Sequence, residues 1–247
     1  MASRQDIMKV LDLWLEPGRF QDYCPNGLQV EGKEEIRKIV SGVTASQALI
    51  DAAISVGADM ILVHHGYFWK GEGQRITGIK KARLQKLLAH DLNLVAYHLP
   101  LDDHPEYGNN AQLARVLGFA EAAPLDGLVW SGRMEPALSV EEFARHVASR
   151  LGREPLHVGQ GRERIERVAW CTGAAQGFIG TALDSGADAY LSGEISEPTT
   201  HAAREAGIHY FACGHHATER YGVQALGEAL ARACDLEHRF IDCDNPV

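Results

Sequence analysis

Three histidine groups stand at one kind of place in this 247-residue chain. His64-His65-Gly66 follows the apolar run Met60–Val63, His98 follows Asn93–Tyr97, and His215-His216 follows His209–Cys213 and Gly214. Each apolar run reads as a strand, and in α/β sheets ligands collect beyond strand carboxyl ends, where side chains leave the packed layer. Two groups carry a carboxylate four residues on, Asp102 after His98 and Glu219 after His215. At a helix start that spacing puts both side chains on one face. Imidazole with carboxylate suits divalent zinc, manganese, iron, cobalt or nickel, and the absence of clustered cysteines argues against a structural zinc knuckle. His64, His65, Asp102, His215 and Glu219 are more donors than one tetrahedral ion needs. A two-metal site, with ions roughly 3.5–4 Å apart, uses such a supply well.

Other residues near these groups have weaker claims. His98 reads as a ligand, as a partner behind the ligands or as an acid–base group. His216 and Glu194 are candidates for supporting or substrate contacts, whereas His201, four residues before Glu205, reads as half of an exposed helix pair. Phe68 and Trp69 could stack on a ring-shaped substrate or pack at an interface. The spacing Gly27…Gly32-Lys33 imitates a phosphate loop, but Glu34 stands where a magnesium-binding Ser or Thr belongs and no strand precedes it.

The elements that must position these residues alternate as strand and helix, which predicts an α/β layer protein with a largely parallel sheet. An internal repeat runs through them. At a shift of 129 residues Gly57-Ala-Asp59 matches Gly186-Ala-Asp188, and Ala45, Gln47, Ile50, Ala53 and Leu62 match Ala174, Gln176, Ile179, Ala182 and Leu191. The pair His98/Asp102 matches His215/Glu219 at a shift of 117. Identity at polar positions points to duplication, hence to two similar α/β lobes with a metal cleft between them at the strand C-terminal ends. The expected lobes are residues 1–125, with an N-terminal helix, and 126–247, allowing for chain returns. Near that seam Ser139 and Glu142 fit a capping box at a helix start.

Composition removes several classes. With 24 Lys+Arg against 33 Asp+Glu the net charge is -9, which disfavours a protein that wraps nucleic acid. The 45% hydrophobic and 23% charged residues are ordinary globular values. No stretch approaches the roughly 20 apolar residues of a membrane span, and the N-terminus shows no signal-peptide core. Five cysteines without a C-x-x-C pair suit reduced thiols in the cytoplasm. The basic helix carrying Lys80, Lys81, Arg83 and Lys86 reads first as a solvated face.

Taken together, Pro25–Val30, Gly42–Ser46, Gly57–Asp59 with His64-His65-Gly66, His98–Asp102, Asn109-Asn110, Ser192–Glu194 and Gly214–Glu219 resemble the GTP cyclohydrolase I type 2-like family, also called Nif3-like dinuclear metal-centre proteins. The match runs across nearly the whole chain and is similar to the short bacterial form. The resemblance implies two α/β lobes, two divalent metal ions (zinc, iron, manganese or nickel) on His64, His65, Asp102, His215 and Glu219, and a toroidal homohexamer. It also implies a small-molecule substrate, GTP or a related heterocycle. The expectation is a dinuclear-metal hydrolase in which a metal-bound hydroxide attacks an electrophilic ring carbon while His98 or Glu219 handles protons. The rivals are an amidohydrolase or phosphoesterase on the same metals, and a non-catalytic metal-binding ring linked to regulation or DNA repair.

Overall fold

The apolar runs that the sequence marks as strands are strands in the computed structural model, which describes residues 1–247 and is mixed α/β. The chain divides into two units, Met1–Gly108 with Val223–Asp244, and Asn109–Gly222 with Asn245–Val247.

The first unit is built on a five-stranded sheet in the order Glu237–Phe240, Lys38–Thr44, Met60–His65, Asn93–Ala96, Gly27–Val30. The first four strands are parallel and Gly27–Val30 closes the edge antiparallel. On one face Val40, Ile61, Val63 and Leu94 pack with Leu49, Ile50 and Ala53 of the helix Gln47–Ser55 and with Leu84 and Leu87 of Gly78–Ala89. On the other, Ile39, Met60, Leu62 and Val95 pack with Ile7 and Leu11 of the helix Arg4–Leu15 and with Leu226 and Leu230. Both faces are covered, so Met60–Val63 is apolar at every position instead of alternating.

The second unit carries a six-stranded sheet in the order Ala120–Asp126, Val129–Ser139, Arg164–Cys171, Ala189–Ser192, His209–Ala212, Leu156–Gly159. Its three inner strands from Arg164 to Ala212 are parallel, and the outer pairings are antiparallel. The helix Val140–Leu151 begins with the expected capping box, Ser139 accepting from the Glu142 amide and Glu142 from the Ser139 amide. The division falls at 108/109, where the sequence pattern suggested 125/126, and residues 223–244 return to the first unit. The physical reason lies in the helix Asn109–Leu117, whose Leu113 and Leu117 pack with Phe143, Trp170 and Phe211. An amphipathic helix carries no mark of which core it will join.

The repeated Gly-Ala-Asp has a structural cause that is the same in each unit. Gly57 and Gly186 take left-handed backbone, with φ of 69° and 72°, just after a helix ends. The aspartate two residues on accepts from two consecutive amides of the neighbouring strand: Asp59 from Arg37 and Lys38, at 3.0 and 3.2 Å, and Asp188 from Glu166 and Arg167, at 3.1 and 2.8 Å. The partners Arg37/Lys38 and Glu166/Arg167 are themselves 129 residues apart. The aspartate thus ties the start of one parallel strand to the start of the next.

Candidate metal centre

Parallel strands deliver the histidines of the first unit. His64 is the fifth residue of Met60–His65, wholly buried, and its Nδ1 lies 3.0 Å from the Tyr97 carbonyl oxygen. A carbonyl only accepts, so the proton sits on Nδ1 and the Nε2 lone pair points away from the strand. There it stands 3.5 Å from Oδ1 of buried Asp102, on the short helix Leu99–Asp103. His65 ends the same strand, its Nδ1 held 3.2 Å from the Thr44 hydroxyl. His98 precedes the short helix, and one donor atom from each of His64, His65 and His98 falls within 4.8 Å of the others.

His98 is fixed by residues that sequence reasoning missed. Asp22 accepts from His98 Nδ1 at 2.7 Å, from the Leu99 amide at 2.9 Å and from Asn26 Nδ2 at 2.9 Å, while Asn26 Oδ1 accepts from the His98 amide at 2.8 Å. Burial alone would raise the Asp22 carboxyl, but these hydrogen bonds outweigh it and bring it down to about 2. Cys24 lies beside these residues, and burial with the Asp22 charge pushes its thiol up to about 12; one donor atom from each of Asp22, Cys24 and His98 falls within 4.8 Å of the others. The ring of Trp69 meets His98 edge to face at 5.0 Å.

In the second unit His215 opens the helix His215–Cys234. Its Nδ1 donates to Glu194 Oε1 at 2.8 Å and its Nε2 stands 3.1 Å from Oε2 of buried Glu219. Burial lowers the pKa of His215, yet the two carboxylates prevail and push it up to about 9. This pocket of side chains is arranged to hold positive charge. Thr218 braces it, accepting from the Gly173 amide at 3.1 Å and donating to the Gly214 carbonyl at 2.9 Å. At Gly173, φ is +67° and a Cβ would run into Glu219 Oε1. The remaining candidates fall elsewhere. Glu194 supports His215, His216 lies buried with its amide donating to the Val247 carbonyl, and exposed His201 sits 3.9 Å from Glu197.

These donors fit divalent metal. Both His64 and His215 have Nδ1 anchored on an oxygen acceptor, the arrangement that orients a ligating imidazole. Atoms about 2.1 Å from a metal stand about 3.0 to 3.4 Å apart at octahedral or tetrahedral angles; the Nε2–carboxylate separation is 3.1 Å at His215, inside that range, and 3.5 Å at His64, just beyond it. Nitrogen and oxygen donors without thiolate select zinc, iron, manganese or nickel over copper(I).

The family described as Duf34/NIF3 (NGG1p interacting factor 3) matches residues 2–246. A Pseudomonas aeruginosa protein named GTP cyclohydrolase 1 type 2 homolog is 57% identical over 246 residues, 98% of this chain and 97% of that one. One of the same name from Escherichia coli K12 is 52% identical over 243 residues, 98% of each chain. A solved structure described as protein ybgI, of unknown function, shares 51% of residues with a TM-score of 0.97 over 100% of both chains.

Proposed function

The chain belongs to the DUF34/NIF3 family, and from that premise we propose that it is a dinuclear-metal-dependent hydrolase that opens a ring of GTP or a related heterocycle. The observation that carries the reading is the repeated pairing of an anchored imidazole with a carboxylate, His64 with Asp102 and His215 with Glu219. The name of the relatives supports the choice of substrate class. In this reading His64, His65, Asp102, His215 and Glu219 hold two divalent ions. Such ions supply Lewis acidity, acidifying water and polarising the bond under attack.

The chain's own residues do the rest. Asp22 keeps the His98 proton on Nδ1, which leaves Nε2 to take a proton from the attacking water and return it to the leaving nitrogen. Glu219 offers a second carboxylate for the same transfers, and Glu194 keeps His215 turned toward it. The reading includes a homohexameric ring, which comes from the family resemblance. It also includes a cytoplasmic home, consistent with five free thiols and with no helix long and apolar enough to cross a membrane.

Elemental mass spectrometry on protein purified without chelator or nickel resin tests it. About two ions per chain, falling in His64→Ala and Glu219→Ala with size and fold retained, is the expected result. Metal content near zero that zinc, manganese or iron fails to restore would sink the hydrolase. Two ions without turnover of any heterocycle would move the reading to a metal-binding scaffold.

A further inference from the structure

The helix that presents His215 and Glu219 starts after a residue that brings no capping side chain. A helix leaves its first amides without partners inside it, and a Ser, Thr, Asp or Asn just before it usually accepts from one of them. Before His215–Cys234 that place is held by Gly214. A glycine is required there: φ is +95°, and a Cβ would stand 2.9 Å from Cδ and Nε of Arg153.

The acceptor comes instead from far along the chain. The His216 amide donates to the Val247 carbonyl at 3.0 Å. The Val247 amide in turn donates to Asn245 Oδ1 at 3.0 Å, a side-chain turn that folds this segment back on itself. Arg153 Nη1 donates to the Pro246 carbonyl between them, and its Nε is shielded from solvent, so the side chain is fixed beside Gly214 and under the segment at once. Arg153, His216 and Asn245–Val247 all belong to the second unit. Residues 245–247 are exposed and without regular structure, whereas His216 beneath them is buried. Such a strap can lift without unfolding the core.

We infer that Asn245–Val247, latched by Arg153, is a strap that controls the release of metal from His215 and Glu219. The inference rests on the reading of those two residues as metal donors. They stand one turn apart at the very start of the helix. When the first turn opens, His215 swings away from Glu219 and the ion loses a donor. The strap holds that turn closed, so metal leaves through the opened form at a rate set by how often the turn opens. Arg153 is a positioning residue, acting through the strap and through Gly214.

The test uses full-length protein loaded with zinc and follows two rates, loss of zinc to excess chelator and hydrogen exchange of the His216 amide. Arg153→Ala should raise both about fivefold, the usual effect of removing a helix cap. Arg153→Lys keeps a charged donor and should recover part of the difference. Asn245→Ala loosens the strap from its own side and should raise both rates as well. Exposed Arg150→Ala makes the same change of charge and should leave both at the wild-type value. In every variant the amides of the inner strand Ala189–Ser192 should keep their rates, which a general loss of stability would not allow. Faster His216 exchange with zinc loss unchanged overturns the inference, as does unchanged exchange in both Arg153→Ala and Asn245→Ala. Zinc that leaves Glu219→Ala quickly but stays in Arg153→Ala as in wild type removes the strap and keeps the metal reading. Wild type that takes up neither zinc, manganese nor iron removes both.

Discussion

Asp22 and His98 are joined by a 2.7 Å hydrogen bond, Nδ1 to Oδ1, that spans 76 positions of sequence. The carboxylate is only 3% exposed and bridges His98, the next amide and Asn26 at once. An imidazole so held has one ring nitrogen committed and a fixed ring plane, which makes its other nitrogen the atom at which a proton can be exchanged. That is the condition a proton-transfer group has to meet, and a ligand-supporting histidine meets it by the same means.

Asp22→Asn should therefore lower turnover of a heterocyclic substrate about a hundredfold while metal content stays at the wild-type value. Stability gives an independent reading. The Asp22 carboxyl lies at about 2 in the folded chain, below the unfolded value of about 3.9. Its contribution is complete above about pH 4 and is lost as pH falls toward about 2. Urea denaturation should show wild type ahead of Asp22→Asn by about 2 kcal/mol near neutral pH, with the gap closing below about pH 4. A gap independent of pH would mean that the charge of Asp22 is not what matters.

What the sequence exposed and what it hid differ in kind. The histidines at strand ends were legible because the apolar runs before them are short and the residue types are rare. The repeat was legible because Asp59 and Asp188 do the same local work on amides 129 residues apart. Asp22 and Asn26 sit in a turn-rich loop, where Asp and Asn are the default residues and carry no signal. Gly173 and Thr218 matter only through the Glu219 carboxylate and the Gly173 amide they meet, contacts that no spacing reveals. The hairpin of Ala120–Asp126 with Val129–Ser139 likewise joins its sheet by pairing with a strand some thirty residues later.

If the duplicated aspartates are strand ties, removing either should cost alike. Asp59→Ala and Asp188→Ala each leave two part-buried amides without their side-chain acceptor, a loss of about 1–3 kcal/mol. The exposed Asp184 of the helix Ile179–Asp184 serves as control, and Asp184→Ala should stay within about 0.5 kcal/mol. Chemical denaturation of the three variants decides it; a near-neutral Asp188→Ala would deny the tie.

Gly173 makes the room in which Glu219 stands. Gly173→Ala should lose about 1–3 kcal/mol to left-handed backbone, and its methyl should also displace the Glu219 carboxylate from His215. Metal retention against a weak chelator is expected to fall at least about tenfold, as for loss of a ligand's orientation. Gly180→Ala, in a helix with nothing near the new methyl, should instead gain about 0.5–1 kcal/mol. Unchanged metal retention in Gly173→Ala would separate Glu219 from the metal.

The edge strand Leu156–Gly159 is sensitive to acid for a reason written in two rings. His209 Nε2 lies 2.9 Å from the Arg162 carbonyl, so its proton sits there and its Nδ1 accepts from His157 Nε2 at 3.0 Å. Burial first, and then the neighbouring His209, hold the His157 pKa below its ordinary value, Glu141 opposing them only in part. Above about pH 6.5 both folded and unfolded chains carry a neutral ring and stability is level. As pH falls below that, the unfolded chain binds a proton that the folded one refuses, and stability declines. His157→Gln keeps an N–H donor without the charge, so it should flatten the decline in urea denaturation between about pH 7 and pH 5. In wild type the amides of Leu156–Gly159, paired with His209–Ala212, should be the ones whose hydrogen exchange quickens over the same range, beyond the intrinsic pH dependence. Equal slopes in both proteins would place the acid sensitivity elsewhere.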